Sequence, residues 1–434
     1  MRVAVVGSGI SGLASAWLLD RRHDVVLFES DDRLGGHTHT HRLDIDGRAL
    51  AVDTGFIVHN RAHYPLLTRL FDELGVQTRP TTMSFSVQSE RSGLEYSSER
   101  LFCRRRNAAS PRFWRMLTDL ARFYRLARAL LATDDDPTLA EFLARHRFGE
   151  AFRDDHLVPM ASALWSCPAA SVLAFPARYL ATFFDNHEML SLGRRSAWRV
   201  VEGGSQRYVD ALAARWNVAV RLATPIRSIR RTADGVELSH AAGAERFDAL
   251  VLATHSDDAL ALLEDPSADE AAILGAIPYQ TNDAVLHTDT RLLPRRREAW
   301  AAWNAFVPRD AETPAATVSY CMNLLQQLDA PRTLIVTLNR SGAIDPARVL
   351  RRMRYRHPVH TRAAVDGKRR KAEIQGVRRT WYAGAYWGWG FHEDGMQSAV
   401  DVAAALGVAW DRPRRVDDLA RRDSPFAQPE PARP

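Results

Sequence analysis

The sequence predicts an α/β fold, and three stretches of the chain carry that prediction. The chain opens with an alternating strand from Arg2 to Val6, a glycine-rich turn, an apolar helix and a second strand, DVVLFES. In the middle, VAVRLATPIRSI and GVELSH are typical of the two strands of a hairpin, and ERFDALVLATHSDDALALL of a parallel strand that leads into a helix. Near the end, WYAGAYWGWGFHEDGMQSAVDVAAALG has the pattern of strand, loop and helix. Strands that alternate with helices indicate a parallel sheet.

The first turn, GSGISG, has the spacing of a loop that holds a dinucleotide. Its first glycine permits a tight turn, its second lets the backbone approach a pyrophosphate, and its third lets helix and strand pack closely. The start of the helix then presents free N–H groups to the phosphates, and an acidic residue after the second strand suits a ribose hydroxyl. The predicted contacts in this unit are Gly7, Ser8, Gly9, Ile10, Ser11, Gly12, Glu29 and Ser30.

Two further motifs, RLGGHTH from Arg33 and VDTGF from Val52, narrow the choice of dinucleotide. The first resembles the motif E-x-x-x-R-x-G-G-R of the flavin amine oxidase superfamily. The matching positions are Glu29, Arg33, Gly35 and Gly36. His37 replaces the final arginine, so a phosphate contact there would be weaker and would depend on pH. The resemblance implies FAD as cofactor, with further contacts from Thr54, Gly55 and Phe56.

A row of alternating histidines offers a competing interpretation. His37, His39 and His41 would share one face of a strand, an arrangement that can ligate a metal. No paired carboxylate or cysteine cluster supports the row, and the three cysteines of the chain are widely spaced. The sequence therefore predicts no metal site.

The resemblance also implies how the chain is divided. A Rossmann-like FAD-binding domain, of the amine oxidase and glutathione-reductase-2 type, would comprise residues 1–65, 200–275 and 375–410. An α+β substrate domain would be inserted as residues 66–199 and 276–374, and residues 411–434 would form a flexible tail. By the same analogy, the backbone at Ile226 would meet the adenine, and Ala253 and Thr254 would lie near the dinucleotide.

The terminal loop GAYWGWGFHEDG combines four aromatic rings with four glycines. The superfamily implies that Gly384 and Ala385 approach the phosphates, and that the N–H groups of Met396 and Gln397, next to Gly395, face the N1–C2=O edge of the flavin. The rings predicted to wall the flavin are Tyr386, Trp387, Trp389 and Phe391. A core cluster on a tight turn is the alternative. His392 and Tyr386 are the candidates for moving a proton.

Composition and charge restrict the partners. Only Lys368 and Lys371 are lysines among 58 basic residues, the net charge is +6, and no nucleic-acid-binding module is present. We therefore expect an anionic cofactor or substrate and no nucleic acid. SPRFWRMLTDLARFYRLARALL, residues 110–131, predicts a basic amphipathic helix. It would pack on its own domain or lie on an anionic membrane. We expect a cytoplasmic protein, because no signal peptide or membrane-spanning run is evident. Peripheral contact with the inner face of the membrane is the alternative.

A finer resemblance covers nearly the whole chain. It depends on RLGGHTHT, ALWSCP, FPARYLATFFDNH, WRVVEGGSQRYV, NDAVLHTD, AWAAWN and GAYWGWGFHEDG. These segments are similar to a bacterial subgroup of predicted FAD-dependent oxidoreductases, often encoded beside methyltransferases of the cyclopropane-fatty-acid synthase type. They also resemble the oxidase-like N-terminal region of some plant cyclopropane synthases. The resemblance implies oxidation or desaturation of a modified fatty acyl chain, on phospholipid, by hydride transfer to flavin N5. Residues 163–184 would line an apolar tunnel or belong to the core.

Two departures from the superfamily bear on the alternatives. Many of its amine oxidases place a lysine beside flavin N5, where this chain has Thr281 or Asn282. The terminal loop also has no cysteine, so the FAD is expected to be noncovalent. A flavin amine oxidase acting on a small amine stays open, as does a noncatalytic FAD-binding partner of a lipid methyltransferase. A nucleotide-sugar isomerase has no motif in its favour.

Overall fold

The computed structural model describes residues 1–190, 196–309 and 317–410. The predicted tail, residues 411–434, lies outside the described residues. The strands are β1 (Arg2–Val6), β2 (Asp24–Phe28), β3 (Thr40–Ile45), β4 (Arg48–Asp53), β5 (Val58–Asn60), β6 (Thr78–Pro80), β7 (Phe85–Ser89), β8 (Glu95–Ser97), β9 (Trp198–Val201), β10 (Ala219–Arg221), β11 (Ser228–Thr232), β12 (Gly235–His240), β13 (Gly243–Phe247), β14 (Ala249–Leu252), β15 (Tyr279–His287), β16 (Trp303–Val307), β17 (Val318–Cys321), β18 (Ile335–Leu338), β19 (Val349–Pro358) and β20 (Thr380–Tyr382).

The α-helices are α1 (Ile10–Leu19), α2 (Pro65–Leu74), α3 (Arg105–Ala108), α4 (Pro111–Leu131), α5 (Leu139–Arg145), α6 (Glu150–Phe152), α7 (Val158–Trp165), α8 (Ala169–Leu173), α9 (Ala177–Asn186), α10 (Gln206–Ala213), α11 (Ser256–Leu262), α12 (Ala268–Leu274), α13 (Met322–Leu325), α14 (Arg362–Arg369) and α15 (His392–Ala405). A π-helical turn, Arg153–Leu157, joins α6 to α7. Within the described ranges, none of these helices combines the length and apolarity that crossing a bilayer requires.

One part of the molecule is built around a parallel sheet with strand order β10-β2-β1-β14-β20. Its central strands read RVAVV, DVVLF and ALVL and are almost wholly buried, as expected for a sheet covered on both faces. Helices α1 and α15 pack on one face, in a core that includes Leu13, Leu18, Ala399 and Val402. The strands come from widely separated parts of the chain, so a single sheet unites its beginning, middle and end. The α/β fold class is confirmed.

The predicted hairpin is present, since β11 pairs antiparallel with β12, but its first strand is shorter than predicted. Ala219–Arg221 pairs in parallel with β2 and extends the main sheet. The chain then runs beside β2 through hydrogen bonds to Glu29 and Asp31. Beyond Pro225, β11, β12 and β13 form a separate antiparallel sheet of three strands. The prediction joined two strands that a proline separates, because both halves have the same alternating pattern.

The other part of the molecule is built around a mixed sheet with strand order β19-β15-β18-β17-β16-β7-β8. Two strands come from residues 85–97 and five from residues 279–358, so two distant segments of the chain share one sheet. Helices α4 to α9 form an aromatic core beside it. The α7–α9 region, predicted as tunnel or core, contributes the buried side chains of Trp165, Tyr179 and Phe183.

The predicted amphipathic helix is present as α4, capped by the Ser110 hydroxyl. Phe113, Met116 and Phe123 are buried in the aromatic core, so most of the apolar face is covered by its own domain. On the opposite face, Arg122 pairs with Asp119. The helix therefore has an intramolecular reason for its pattern, and contact with a membrane stays a prediction.

Candidate functional site

The first glycine loop has the backbone geometry that the sequence predicts for a phosphate cradle. Gly7 has a φ of +99°, and a Cβ placed on it would lie 2.9 Å from the carbonyl oxygen of Ala253. A Cβ on Gly12 would lie 1.8 Å from the carbonyl oxygen of Gly7. Gly9 faces open space and is the N-cap of α1, with no side chain bound to the first N–H groups. Those N–H groups, at Ile10 and beyond, are available to a phosphate.

Glu29 lies at the end of β2, where a ribose contact is expected. Its Oε2 accepts hydrogen bonds from the Ser8 N–H at 2.8 Å and the Ser8 hydroxyl at 2.6 Å. Its Oε1 accepts from the Asp31 N–H at 2.9 Å and the Ser30 hydroxyl at 3.1 Å. The backbone N–H of Thr224 donates to the Glu29 carbonyl, which brings the segment leading to Ile226 alongside. The acid is therefore fixed in place by the phosphate loop itself.

The second glycine motif touches the first. Gly35 donates its N–H to the Ser8 carbonyl, and a Cβ on Gly36 would lie 3.0 Å from the Cα of Gly9. Arg33 donates to the carbonyl oxygens of Thr38 at 3.0 Å and Gly36 at 2.8 Å, so its guanidinium fixes the shape of this loop. Two stretches of bare backbone therefore converge where the sequence predicts the pyrophosphate.

The VDTGF motif supports that loop from behind. A Cβ on Gly55 would lie 1.9 Å from the His37 carbonyl oxygen, and the Phe56 N–H donates to the same oxygen. Thr54 donates its N–H to the His39 carbonyl. In addition, the buried Nε2 of His37 has no hydrogen-bond partner among the described residues. Bare backbone, free helix N–H groups and a fixed acid together suit a bound dinucleotide.

The last helix meets the first, although it begins earlier than predicted. Helix α15 starts at His392, so the N–H groups of Met396 and Gln397 lie in its second turn and bond within the helix. The predicted start at these two residues is wrong by one turn. A Cβ on Gly395 would lie 2.6 Å from the Cγ2 of Ile10, so the two helices touch at their N-terminal ends. The N–H groups without an intrahelical partner at the start of α15 are thus those of His392 and its next neighbours.

The four rings of the terminal loop diverge instead of forming one wall. Tyr386 and Trp387 are buried in the core between the parallel sheet and β11–β13. Trp389 and Phe391 pack instead against the aromatic core around α9. Gly390, with a φ of +94°, turns the chain between the two cores. The aromatic loop therefore joins two cores, as the alternative interpretation of the sequence allowed.

Asp394 and Gly384 fix the two ends of this loop. The Oδ2 of Asp394 accepts from the N–H groups of Trp389 at 3.1 Å and Phe391 at 2.9 Å. Gly384 donates its N–H to the Ser398 hydroxyl at 3.0 Å, which places Ala385 directly after a strand of the parallel sheet. The loop is thus bound to α15 at both of its ends.

The two predicted proton carriers, Tyr386 and His392, are both buried. The Tyr386 hydroxyl is buried without a partner among the described residues, and burial raises its pKa well above the ordinary value. The His392 ring stacks on Phe56 at 3.7 Å and its Nε2 lies 3.1 Å from the Thr38 hydroxyl. Burial holds the pKa of His392 well below its usual range. At neutral pH the His392 ring is therefore uncharged and the Tyr386 hydroxyl keeps its proton.

A cluster of rings that the sequence did not reveal lies beside the second glycine loop. The His37 ring is 5.3 Å from that of His357, 5.8 Å from that of His255 and 5.2 Å from that of Tyr355. His39 and His41 lie 4.0 Å apart and bond to Tyr355 and Thr54 respectively. The predicted row of three histidines is therefore split, because only the last part of it belongs to β3.

These histidines are uncharged at neutral pH. Burial, assisted by the neighbouring His255, lowers the pKa of His37 to about 4. Burial and Arg356 lower that of His255 to about 4, and burial and His37 lower that of His357 to about 3. A charge in such a cluster would be desolvated and repelled by its neighbours, so the neutral imidazoles are favoured.

Asn282, one of the two residues at the position where many amine oxidases have a lysine, orients one of these rings. Its Oδ1 accepts from the Asn339 side chain at 2.6 Å, which fixes the amide so that its Nδ2 points at the Nδ1 of His357, 2.8 Å away. The amide donates, so this nitrogen accepts and the proton of the neutral ring belongs on Nε2. The chain therefore has an oriented imidazole N–H donor where a lysine was expected.

One lysine is nevertheless close to the aromatic loop. Lys368 is 3% exposed, and its Nζ donates to the His360 Nδ1 at 2.8 Å and to the Gly388 carbonyl at 2.9 Å. Burial lowers its pKa to about 7, partly offset by the attraction of Asp394. Nothing in the sequence indicated this contact, because Lys368 is on α14 and precedes Gly388 by twenty residues.

Comparisons with known proteins agree with this geometry. Residues 10–338 match the model of a family described as flavin-containing amine oxidoreductases. The chain belongs to this family. The cofactor is therefore FAD, as the resemblance implied, and the residues described above suit it.

Individual relatives differ in what their names state. A protein of Mycobacterium tuberculosis named as a flavin-containing monoamine oxidase, AofH, is 27% identical over 281 residues, which are 61% of this chain and 59% of that protein. A carotenoid phi-ring synthase of Streptomyces griseus is 30% identical over 292 residues, 58% of this chain and 52% of the synthase. The chain thus spans less than two thirds of these relatives.

Among solved structures, a fatty acid isomerase from P. acnes that produces CLA has a TM-score of 0.63. It is 18% identical, and the match covers 93% of this chain and 98% of the isomerase. At this identity the likeness concerns the fold, which is confirmed as a Rossmann-like FAD-binding domain with a substrate domain.

Proposed function

We propose that the protein oxidises or desaturates a methylated or unsaturated fatty acyl chain, carried on a phospholipid, by hydride transfer to FAD. The observation that carries the proposal is the uncharged ring cluster of His37, His255, His357 and Tyr355 beside the cofactor loops. An apolar, uncharged chain matches such a surface better than a protonated amine does, because a desolvated cation needs a compensating charge. The neighbouring carboxylates of Asp257 and Asp258 already pair with Arg356.

The helical half of the molecule offers apolar surroundings for a chain. Phe391 of the terminal loop stacks on Phe183 of α9 at 5.2 Å, so the aromatic core reaches the start of α15. A void of about 20 Å³ lies within this core, lined by Leu120, Phe123, Tyr124, His156, Leu157, Met160, Phe184 and Met189. The names of two similar proteins, a carotenoid synthase and a fatty acid isomerase, also refer to long apolar molecules.

The chemistry divides between the cofactor and the chain. Bound FAD supplies an acceptor for two electrons and one hydrogen nucleus, which leave the substrate together as hydride. The carbon left behind is electron-poor, so a proton on the neighbouring carbon becomes acidic and a double bond forms when a weak base removes it. Dioxygen or a membrane quinone would then take the electrons from the reduced protein.

We assign the role of this weak base to His37. A backbone hydrogen bond with Arg356 raises its pKa against the effect of burial, and Nε2 has no partner among the described residues. The hydrogen bond thus belongs to Nδ1, which leaves the lone pair of Nε2 free to accept a proton. The neighbouring His357, fixed by Asn282 as a donor, would orient the reacting group.

Contact with a membrane belongs to the same proposal. Trp114, on the outer face of α4, is 50% exposed, and Phe102 beside it is 44% exposed. Arg115 and Arg125 are exposed on the same helix. Exposed aromatic and basic side chains together suit an anionic lipid surface. We also propose a lipid methyltransferase as partner, on the resemblance of the whole sequence.

The direct test is anaerobic reduction of the bound FAD. A phospholipid with methylated or unsaturated chains is expected to bleach the yellow absorbance band, while a saturated straight-chain phospholipid is the matched control and is expected not to. The variant His37→Gln is expected to keep its FAD and to bleach at least tenfold more slowly, as removal of a positioned base predicts.

Other outcomes would favour the alternatives. Bleaching by small amines and by no lipid would identify an amine oxidase, which the family and the mycobacterial relative favour. Bound FAD that no substrate bleaches, together with a stable complex with a lipid methyltransferase, would identify a noncatalytic partner. Either result contradicts the lipid oxidoreductase.

A further inference from the structure

A polar cavity has a lining that shares no residue with the cofactor loops. It has a volume of about 190 Å³ and lies between helix α2 and the sheet formed by β5, β9 and β6. Its polar lining includes His59, Arg61, Thr68, Asp72, Thr78 and Arg199. None of these residues belongs to the glycine loops, the ring cluster or the terminal loop.

Two buried groups in the cavity wall have unsatisfied hydrogen-bonding capacity. His59 is 1% exposed, and its Nδ1 has no hydrogen-bond partner among the described residues. The Thr68 hydroxyl is also buried without a partner in the same part of the chain. A buried polar atom without a partner costs free energy, so both atoms call for a ligand or ordered water in the cavity.

The cavity also has an excess of positive charge. Burial and the positive charges of Arg199 and Arg61 lower the pKa of His59 to about 4. The His59 ring is therefore uncharged at neutral pH, and the two arginines carry the positive charge of the cavity. Arg199 donates to Thr78 through its Nε and Nη2, which holds the guanidinium in position and leaves Nη1 for another acceptor. The only acidic residue in the lining, Asp72, lies 3.6 Å from Arg61. Two cations therefore face one anion.

We propose that this cavity binds a phosphate group. A tetrahedral phosphate has enough oxygens to accept from two guanidinium groups, a hydroxyl and an imidazole N–H at once, and arginine is the residue best suited to that geometry. The site goes beyond the proposed oxidation and does not depend on it. Free phosphate and the phosphodiester of a phospholipid headgroup share this chemistry.

Calorimetry on the FAD-loaded protein tests the proposal, because bound FAD occupies the glycine loops. Inorganic phosphate and a soluble short-chain phosphatidylglycerol are titrated separately at constant ionic strength. At least one is expected to bind, and Arg61→Gln is expected to weaken it about tenfold, as loss of a charge-assisted hydrogen bond predicts. Thr68→Val, of nearly the same shape, is expected to weaken it about fivefold. Both are on α2 or next to it and leave the Arg199–Thr78 bonds intact.

The matched control is Arg295→Gln, an exposed arginine that pairs with Glu90 and does not line the cavity. It is expected to bind as the unchanged protein does. Binding of phosphate alone would identify a free phosphate site, and binding of the lipid would identify a headgroup site. If neither titrant binds, or if Arg61→Gln and Thr68→Val both bind unchanged, the cavity holds water only and the proposal is overturned. Bleaching of FAD by lipid is measured separately, so either proposal can fail alone.

Discussion

The nucleotide end and the ring cluster are both parts of one site, yet they are built on different principles. At the nucleotide end, the shape is set by glycine backbone over short stretches of sequence, as where Gly12 lies against Gly7. The ring cluster assembles His37, His255 and His357 from three distant segments, and its chemistry depends on their mutual contact. A short glycine motif thus specifies the shape of the cofactor loop, while long-range packing specifies the chemical groups beside it.

The largest expected effect is at the nucleotide end. Gly12→Val would place side-chain atoms where the carbonyl of Gly7 already lies, 1.8 Å from the position of the new Cβ. We expect loss of bound FAD, a fall of at least a hundredfold in affinity, measured by the visible absorbance of the purified protein and by titration with FAD. Gly342→Ala is the control, since nothing lies within 4 Å of its Cβ position. Retention of FAD by the valine variant would show that this loop does not hold the dinucleotide.

A smaller effect is expected where Lys368 contacts the aromatic loop. Lys368→Met removes the donor to His360 and the Gly388 carbonyl, and a buried acceptor without a partner costs about 1–3 kcal/mol. We expect the free energy of unfolding, measured with urea, to fall by that amount. The other lysine provides the control, because Lys371 pairs with the partly exposed Asp401 and its replacement by Met should change little. Equal effects of the two substitutions would contradict a special role for Lys368.

The ring cluster should make stability depend on pH. In the unfolded chain its histidines take up protons near pH 6.5, whereas in the folded protein His37 resists until about pH 4 and His357 until about pH 3. Protons therefore bind the unfolded chain more readily in this window, and stability falls as pH decreases from about 6.5 to about 4. Asp53 acts in the opposite sense, because burial raises its pKa to about 6.

Comparison of two proteins isolates the contribution of the cluster. His357→Asn keeps a polar group beside Asn282 but cannot take up a proton, so its melting temperature should fall less steeply below pH 6.5 than that of the unchanged protein. Thermal unfolding at several pH values measures the difference. Parallel curves for the two proteins would show that His357 is not protonated differently in the folded and unfolded states.

The smallest change in stability is expected from Asn282→Asp, a substitution that acts on the position of the ring proton of His357. Asn282→Asp replaces the amide donor 2.8 Å from Nδ1 with an acceptor, so the ring proton should move from Nε2 to Nδ1. The carboxylate should also raise the pKa of His357 by about one to three units. Nitrogen-15 NMR of the histidine rings reads both changes. An unchanged tautomer in the variant would contradict the proposed role of the amide.

How far the sequence alone reached can be judged from particular residues. Gly7, Gly9, Gly12 and Glu29 were placed correctly relative to one another because a strand, a turn and a helix within thirty residues fix them. Helix α4 was predicted with its bounds and its covered face, since its period is local. The packing of the terminal loop was not predicted, because Tyr386 and Phe391 take their positions from the two cores against which they pack. The twelve residues of the loop do not specify those cores.

The amino-acid sequence alone was enough to predict the α/β class, the cofactor and the shape of the glycine-rich loops, because bare backbone and helix termini act over a few residues. Only the tertiary structure decided that His357 meets His37, that Asn282 turns it into a donor and that Lys368 lies beneath the aromatic loop. These contacts join residues that are 20 positions apart for Lys368 and Gly388, 75 for Asn282 and His357, and still more for His37 and His357. They depend on how distant strands pair, and a one-residue change of register between β15 and β19 would send the same side chains to the opposite face.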